Sequence, residues 1–373
     1  MEYCEEERFL SVPSFYREEL QDKKIYEKDL ELLSRQWNFV DHISSFKKTG
    51  DYKVYELLGK LIVIVKTDEG FEGGRNYSSE EKGEFLVGSI VESILNHENR
   101  FKHVMIKELE GILLVGLSHN KMANFSRIRS NIEPLYSWHG LKQAKIAHKE
   151  KYTINANWKA VSENLLECYH CYANHPEMCS IANHPTFTST ASLDKMIEGI
   201  EVFKNWSITT KSMNHPVGER QNVDVDAEQF SVIYRAPINV NQKSHSKDGN
   251  LLAPLMGSIS QCDNGETFGY IGPLTVYSMP NDYAYILRIN PLTVKITEVE
   301  LFWLVDNNAV ENKDYNIDQL TWYWNSTVQQ DKVAIDRAGK GTSSRYYSPG
   351  NYTSLEEESA RFALWYRKQI MKM

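Results

Sequence analysis

Two histidines five residues apart, His170 and His175, and a distant carboxylate, Asp331, are the residues whose types and placement carry the most chemistry. Two neutral imidazoles and one carboxylate make a facial set that holds ferrous iron and leaves positions open for oxygen and substrate. His175 directly precedes Pro176, which discourages helix continuation, so a chain curling back at Ala173 and Asn174 would bring the second imidazole beside the first. Spacing alone leaves another reading open: unrelated histidines on a polar helix face, and a buried aspartate bonded to an arginine or to backbone.

The histidines must be positioned by the stretch NWKAVSENLLECYHCYANHP, from Asn157 to Pro176, which reads as a helix. At helical period Trp158, Val161, Leu165, Cys168 and Tyr172 share one face, while Glu163, Glu167 and His170 gather nearly opposite. A second predicted helix, in IDQLTWYWNSTVQQDKVAID, carries the carboxylate. There Leu320, Trp324, Val328, Asp331 and Ile335 recur at steps of four, four, three and four, so Asp331 lies inside an apolar stripe. A carboxylate aimed at a core is costly unless it is paired or ligates a metal.

Together these residues resemble the mononuclear-iron motif of Rieske-type non-haem iron oxygenase alpha subunits, the aromatic-ring-hydroxylating dioxygenase alpha subunit family. The string ENLLECYHCYANHP is most similar to the branch of choline, glycine betaine and carnitine monooxygenases. The similarity continues in FLSVPSFYREELQDKKIYEKDLELLSRQWNFVDHISSFKKTGDY near the start and SSRYYSPGNYTSLEEESARFALWYRK near the end. The resemblance implies that His170, His175 and Asp331 bind a mononuclear Fe(2+). It also implies that Glu167 is the carboxylate linking this iron to an electron-donating cluster on the neighbouring subunit of a head-to-tail trimer. The implied fold is α+β: an N-terminal helical segment over 1–38, a small all-β Rieske-like domain over 39–145, and a helix-grip (Bet v 1-like) catalytic domain with an antiparallel sheet over 146–373.

One departure changes the expected mechanism. The family's two-iron cluster is held by two Cys-His pairs, spaced CxH and CxxH. The cysteines here are Cys4, Cys168, Cys171, Cys179 and Cys262, so none lies between KLIVIVKTDEG and HVMIKELEGILLVGL, where the cluster loops would belong. That interval offers only His97 before His103. The expectation is a degenerate domain without its own [2Fe-2S] cluster, in an oxygenase component that hydroxylates or oxidatively N-demethylates a small quaternary ammonium or amine substrate. Electrons would come from a cluster-bearing paralogous subunit and a reductase. Two alternatives stand beside it: a non-catalytic subunit that stabilises such a partner, and an iron enzyme that draws electrons from substrate or a small reductant.

The rest of the chain constrains the setting. A net charge of -8 over 373 residues argues against nucleic acid or an anionic membrane as the main partner. The acidic start MEYCEEERFL and the lack of a long apolar run predict a cytoplasmic protein. Five cysteines without framework spacing predict reduced thiols, and Cys168 and Cys171 read as packing residues despite their CxxC spacing, with Cys171 nearer the edge of the apolar face and the more exposed of the two. No nucleotide-binding fingerprint is present.

Glu18 to Trp37 reads as a helix, and YKVYELL, LIVIVK and ILLVGL as strands of a small antiparallel sheet. Between them the Gly-Gly and Ser-Ser-Glu-Glu-Lys-Gly stretch reads as loop, and FLVGSIVESIL as helix or strand. Lys142 to Lys151 reads as a connector, and GIEVFKNWSI, FSVIYRAPI, ETFGYIGPLTVYSM, DYAYILRIN and TVKITEVELFWLV as strands. Asn264-Gly265 within DNGE reads as a hairpin turn. Phe203, Trp206, Tyr234, Tyr270 and Tyr277, all placed on strands, are candidates for an aromatic cage around a quaternary ammonium group, or else simply pack a sheet.

Overall fold

The β-rich runs form two six-stranded antiparallel sheets in the computed structural model, which describes residues 11–75, 87–96, 101–118, 121–182, 193–218, 224–239 and 241–373. The first sheet holds β1 (Asn38–His42), β2 (Tyr52–Leu57), β3 (Lys60–Thr67), β4 (Gly70–Arg75), β5 (Lys102–Leu109) and β6 (Ile112–Gly116), in the order β1-β6-β5-β4-β3-β2. The second holds β7 (Ala144–Ile154), β8 (Ser231–Pro237), β9 (Gly265–Ile271), β10 (Thr275–Met279), β11 (Ala284–Thr293) and β12 (Ile296–Asp306), in the order β7-β12-β11-β10-β9-β8. The helices are α1 (Arg17–Gln21), α2 (Lys23–Ser34), α3 (Val87–Leu95), α4 (Phe125–Trp138), α5 (Trp158–Leu166), α6 (Cys171–Asn174), α7 (Pro176–Ile181), α8 (Leu193–Ser212), α9 (Ile317–Thr342) and α10 (Glu357–Met371).

The nearly continuous apolar text of β12 follows from cover on both faces of its sheet. Leu301, Trp303 and Val305 join the core made with Trp158 of α5, Leu320 and Trp324 of α9, and Phe362 and Trp365 of α10. Their neighbours Phe302 and Leu304 point the other way, into a second core with Phe39 of β1 and Ile128 and Ile132 of α4. An antiparallel sheet gripped by helices is the expected α+β arrangement, and the chain adopts it.

Polar ties lock the two sheets together. The buried Asp41 on β1 accepts from Lys149 Nζ of β7 at 2.9 Å and from the Tyr55 hydroxyl at 2.7 Å. Asn290 on β11 accepts from the Leu58 backbone N–H at 3.1 Å and donates to the Glu56 carbonyl at 3.2 Å. His42, fully buried, contacts the Leu141 carbonyl through Nε2 at 2.9 Å and accepts from the Ser44 backbone N–H at Nδ1, 3.1 Å away.

Several elements differ from the sequence reading. Lys142 to Lys151 is not a connector, because Ala144 onward is β7, paired to β12 along its length. GIEVFKNWSI is not a strand but part of the 20-residue α8, so Phe203 and Trp206 sit on a helix. Asn264, at φ 59°, leads into β9 from the long segment after β8, so Asn-Gly does not close a two-residue hairpin. Glu18 to Trp37 splits at Asp22, whose carboxylate caps α2 by accepting from Ile25 and Lys24.

Gly73 and Gly74 belong to β4 rather than to a loop. A Cβ there would lie 2.4 Å from Val104 or from the Phe101 ring, which is the physical reason for glycine. FLVGSIVESIL resolves as helix from Val87, with Ile90, Val91 and Ile94 packed on Val63 and Val65 of β3. Cys4, His97, the acidic start and the Ser-Ser-Glu-Glu-Lys-Gly stretch lie outside the described residues. Among the described residues no helix is long and apolar enough to cross a membrane.

Candidate metal centre and its pocket

The three candidate donors meet. His170 Nε2 lies 3.2 Å from His175 Nε2 and 3.1 Å from Asp331 Oδ1, and His175 Nε2 lies 3.0 Å from the same oxygen. Donors that share one cation at about 2.1 Å with right-angle geometry stand about 3.0 Å apart, and a tetrahedral set about 3.4 Å. The observed separations fit three adjacent corners of an octahedron.

The chain reaches this arrangement by breaking its helix earlier than its periodicity implies. α5 is capped by Asn157, whose side chain accepts from the Lys159 N–H, and it ends at Leu166. Glu167 is extended, at φ -127° and ψ 166°, and its carboxylate accepts from the backbone N–H groups of Tyr169 and His170. The chain thereby turns and restarts as the four-residue α6. His175 follows, and Pro176 opens α7 where its missing N–H costs nothing. Asp331 arrives from the middle of α9, where Leu320, Trp324, Val328, Asp331 and Ile335 are all buried as the stripe implied.

Hydrogen bonds on the far side of each ring aim the lone pairs inward. Gln330 Nε2 donates to Glu177 Oε2 at 2.6 Å, which turns the amide oxygen toward His175 Nδ1 at 2.9 Å. His175 Nδ1 is therefore the N–H, and Nε2 carries the lone pair. Glu167 Oε1 holds His170 Nδ1 at 2.5 Å in the same way, and Asn164 Nδ2 donates to Asp331 Oδ1 at 2.8 Å. Outer partners of this kind fix the tautomer and orientation of metal-binding histidines.

The electrostatics favour a positive charge at the centre. Burial disfavours the His170 imidazolium, yet hydrogen bonds to Asp331 and Glu167 outweigh it and raise the pKa to about 10. Burial likewise works against the Asp331 carboxylate, but both histidines hold its pKa below the usual carboxylate range. Without a metal the charge is met by a proton on His170; a divalent cation that displaces this proton finds two imidazole nitrogens and a carboxylate, a donor set that suits a divalent metal. Glu163 does not join it. Its carboxylate accepts from the Tyr352 hydroxyl at 2.5 Å, and burial raises its pKa to about 7.

A cavity of about 500 Å³ opens directly onto the donors. Of the five aromatic candidates, Phe203, Tyr234 and Tyr270 line it. Tyr277 faces Tyr136 on the opposite side of the sheet, and Trp206 lies over the Arg235 guanidinium. The wall residues not foreseen are Glu266 and Phe268, two and four positions before Tyr270 on β9, together with Tyr285, Tyr323 and Trp324. Period two along ETFGYI already put Glu266 and Phe268 on the face of Tyr270. Tyr285 and Trp324 stack in parallel with centroids 4.3 Å apart.

Cys168 and Cys171, read as separate packing thiols, are joined by a disulfide whose Cα atoms lie 4.9 Å apart. The helix break at Glu167 is what permits this, since it curls residues 168 to 171 into a turn. Cys171 is also the more buried of the two, the reverse of the expectation.

The catalytic-domain model of the ring hydroxylating alpha subunit family matches residues 141–372, which hold all three donors. The chain belongs to this family. Membership makes it an oxygenase of the non-haem iron class, an oxidoreductase. The glycine betaine monooxygenase oxygenase subunit of Pseudomonas aeruginosa is 24% identical over 331 residues, covering 85% of this chain and 67% of that one. The carnitine monooxygenase oxygenase subunit of Acinetobacter baumannii is 23% identical over 361 residues, covering 87% and 84%. Among solved structures, a quaternary ammonium Rieske monooxygenase superposes with a TM-score of 0.66 over 97% of this chain and 96% of that one, at 16% identity. Naphthalene 1,2-dioxygenase from Rhodococcus superposes with a TM-score of 0.57 over 96% and 94%, at 12% identity. These likenesses show that the ring hydroxylating alpha subunit fold extends over nearly the whole oxygenase chain.

Proposed function

We propose that this chain is the oxygenase component of a monooxygenase that hydroxylates or oxidatively N-demethylates a small quaternary ammonium or amine compound. The convergence of His170 Nε2, His175 Nε2 and Asp331 Oδ1 within 3.2 Å of one another carries this reading. Ferrous iron, when bound, supplies the redox chemistry and the open positions that such a donor set leaves for dioxygen and substrate. The chain's own groups do the rest. Glu167 holds the Nδ1 proton of His170, Gln330 holds that of His175, and Asn164 steadies Asp331. The aromatic wall excludes water and offers ring faces to an ammonium group, and the Glu266 carboxylate adds negative charge on the same side.

The electron donor lies outside the chain in this reading. No cysteine occurs from residue 5 to residue 167, so the first sheet has no sulfur for a two-cysteine, two-histidine cluster. The division proposed is a helical segment at 1–38, a cluster-free Rieske-like domain at 39–145 and the catalytic domain at 146–373. The partner proposed is a cluster-bearing paralogue, fed by a reductase and assembled with this chain as a trimer in the cytoplasm. Glu167 is the point of entry: one oxygen is on His170, and the side chain stays partly exposed. The sulfur deficit also supports the second reading, a stabilising subunit without chemistry. Against it stands the retained set of four residues, His170, His175, Asp331 and Glu167, together with their orienting partners.

Iron and acid-labile sulfide measured on anaerobically purified protein, alone and co-expressed with a Rieske paralogue, test the proposal. About one iron and no sulfide on the isolated chain, with sulfide only in the complex, is the expected result. Absence of iron in both preparations and after reconstitution would leave only the stabilising role. Glu167→Gln should keep the iron but abolish turnover with the partner.

A further inference from the structure

The Cys168–Cys171 disulfide brackets the metal centre within four residues of sequence, with His170 between its halves and Glu167 just before them. Cys171 Sγ is 4.0 Å from His170 Nε2, and Cys171, His170 and His175 offer donor atoms that all lie within 4.8 Å of one another. Both sulfurs' residues line the cavity. A bridge three residues long closes a small loop, where chain-entropy stabilisation is least, so stability alone gives it little purpose. From this geometry, and resting on the iron-site reading above, we infer that the disulfide is a redox switch on the metal centre: reduction frees Cys171 to become a fourth protein ligand, closing the site.

The burial of the two halves sets the direction of the exchange. Cys168 is partly exposed, whereas Cys171 is 2% exposed, so an incoming thiolate reaches Cys168 Sγ. A mixed disulfide forms at Cys168, the S–S bond breaks, and Cys171 leaves as the thiol facing the donors. The second thiol of an external dithiol then releases Cys168, so the chain gains two electrons and two protons while the dithiol becomes a disulfide. With the bridge closed, Cys171 Sγ is bonded to sulfur and the metal keeps two imidazoles and one carboxylate, with positions left for oxygen and substrate. With it open, two imidazoles, a carboxylate and a thiolate make the four-ligand set of closed metal sites, which favours zinc over ferrous iron. Activity would therefore be present in the disulfide form and lost in the dithiol form, so in a reducing cytoplasm the site rests closed until a disulfide-bearing oxidant takes the two electrons and two protons and re-forms the bridge. The free thiol of Cys179 donates to the Cys171 carbonyl at 3.5 Å.

Cobalt(II) substitution tests the switch without needing the substrate. Full-length protein is loaded with cobalt, and its absorption is recorded before and after a trialkylphosphine, which takes up water to become the phosphine oxide as the disulfide becomes two thiols. A sulfur-to-cobalt charge-transfer band in the near ultraviolet is expected only after reduction. It should be absent from Cys171→Ser under both conditions and present without reductant in Cys168→Ser, which leaves Cys171 permanently free. Cobalt uptake with identical spectra before and after reduction, or a band that survives Cys171→Ser, overturns the switch while leaving the metal centre intact. Failure of every form to bind cobalt, with circular dichroism showing folded protein, overturns both the switch and the iron-site reading.

Discussion

At the scale of single residues, the proposed metal centre depends on hydrogen bonds made on the far side of its candidate donors. Gln330→Leu should leave His175 in place but remove the acceptor for Nδ1–H, freeing the ring to rotate or change tautomer. Metal affinity should fall about 10–100-fold, read by competition with a chelator, while the thermal stability of the metal-free protein changes little. Retention of full affinity would mean that packing alone orients His175. That His170, His175 and Asp331 converge was legible from sequence, because their residue types suit a metal, because Asp331 interrupts an apolar stripe and because the surrounding string resembles a known iron motif. Gln330 and Glu177 were not, since a polar side chain on a helix gives no sign of its partner until the fold supplies one. The disulfide was missed for a related reason: helical periodicity put Cys168 in the core and Cys171 at an edge, and the break at Glu167 reversed this.

At the scale of elements, α5 joins the site to the chain's N-terminal helices. Lys159, wholly buried, pairs with the equally buried Asp29 of α2, and Asp29 also accepts from Trp158 Nε1 at 3.1 Å and from the Tyr366 hydroxyl of α10 at 2.6 Å. The Lys159 ammonium lies 4.8 Å from the Tyr366 ring centre. Asp29→Ala removes the carboxylate at which three helices meet and strands a buried cation. It should cost about 3–5 kcal/mol, seen as a lower urea midpoint with little change in slope. A loss below about 1 kcal/mol would show that water reaches Lys159. Strand text with apolar residues on both faces was read correctly for β11 and β12, because burial on both sides leaves its mark on composition. α8 was misread because its valine, isoleucine and aromatic content suits a strand equally well, and only its length of 20 residues separates the two.

At the scale of the whole molecule, the joint between the sheets makes stability depend on pH. Burial lowers the His42 pKa from 6.5 to about 4, so the folded chain resists a proton that the unfolded chain accepts. Stability from this group is complete above about pH 6.5 and is lost as pH falls toward 4, by an amount on the order of 3 kcal/mol. His42→Gln should flatten the acid side of a urea-stability profile by about one proton, and an unchanged profile would assign the acid sensitivity to other groups. The two halves of the site also differ in how they are held. Asp331 and Gln330 ride on one 26-residue helix packed along its length, whereas Glu167, His170 and His175 sit on a turn and a four-residue helix. In hydrogen-exchange terms, amides at the centre of α9 should open only with global unfolding, and those of residues 167–175 should open locally. Chelation should therefore quicken exchange on the histidine side alone. Ions of different radius would be accommodated there, with the aspartate side acting as a fixed reference.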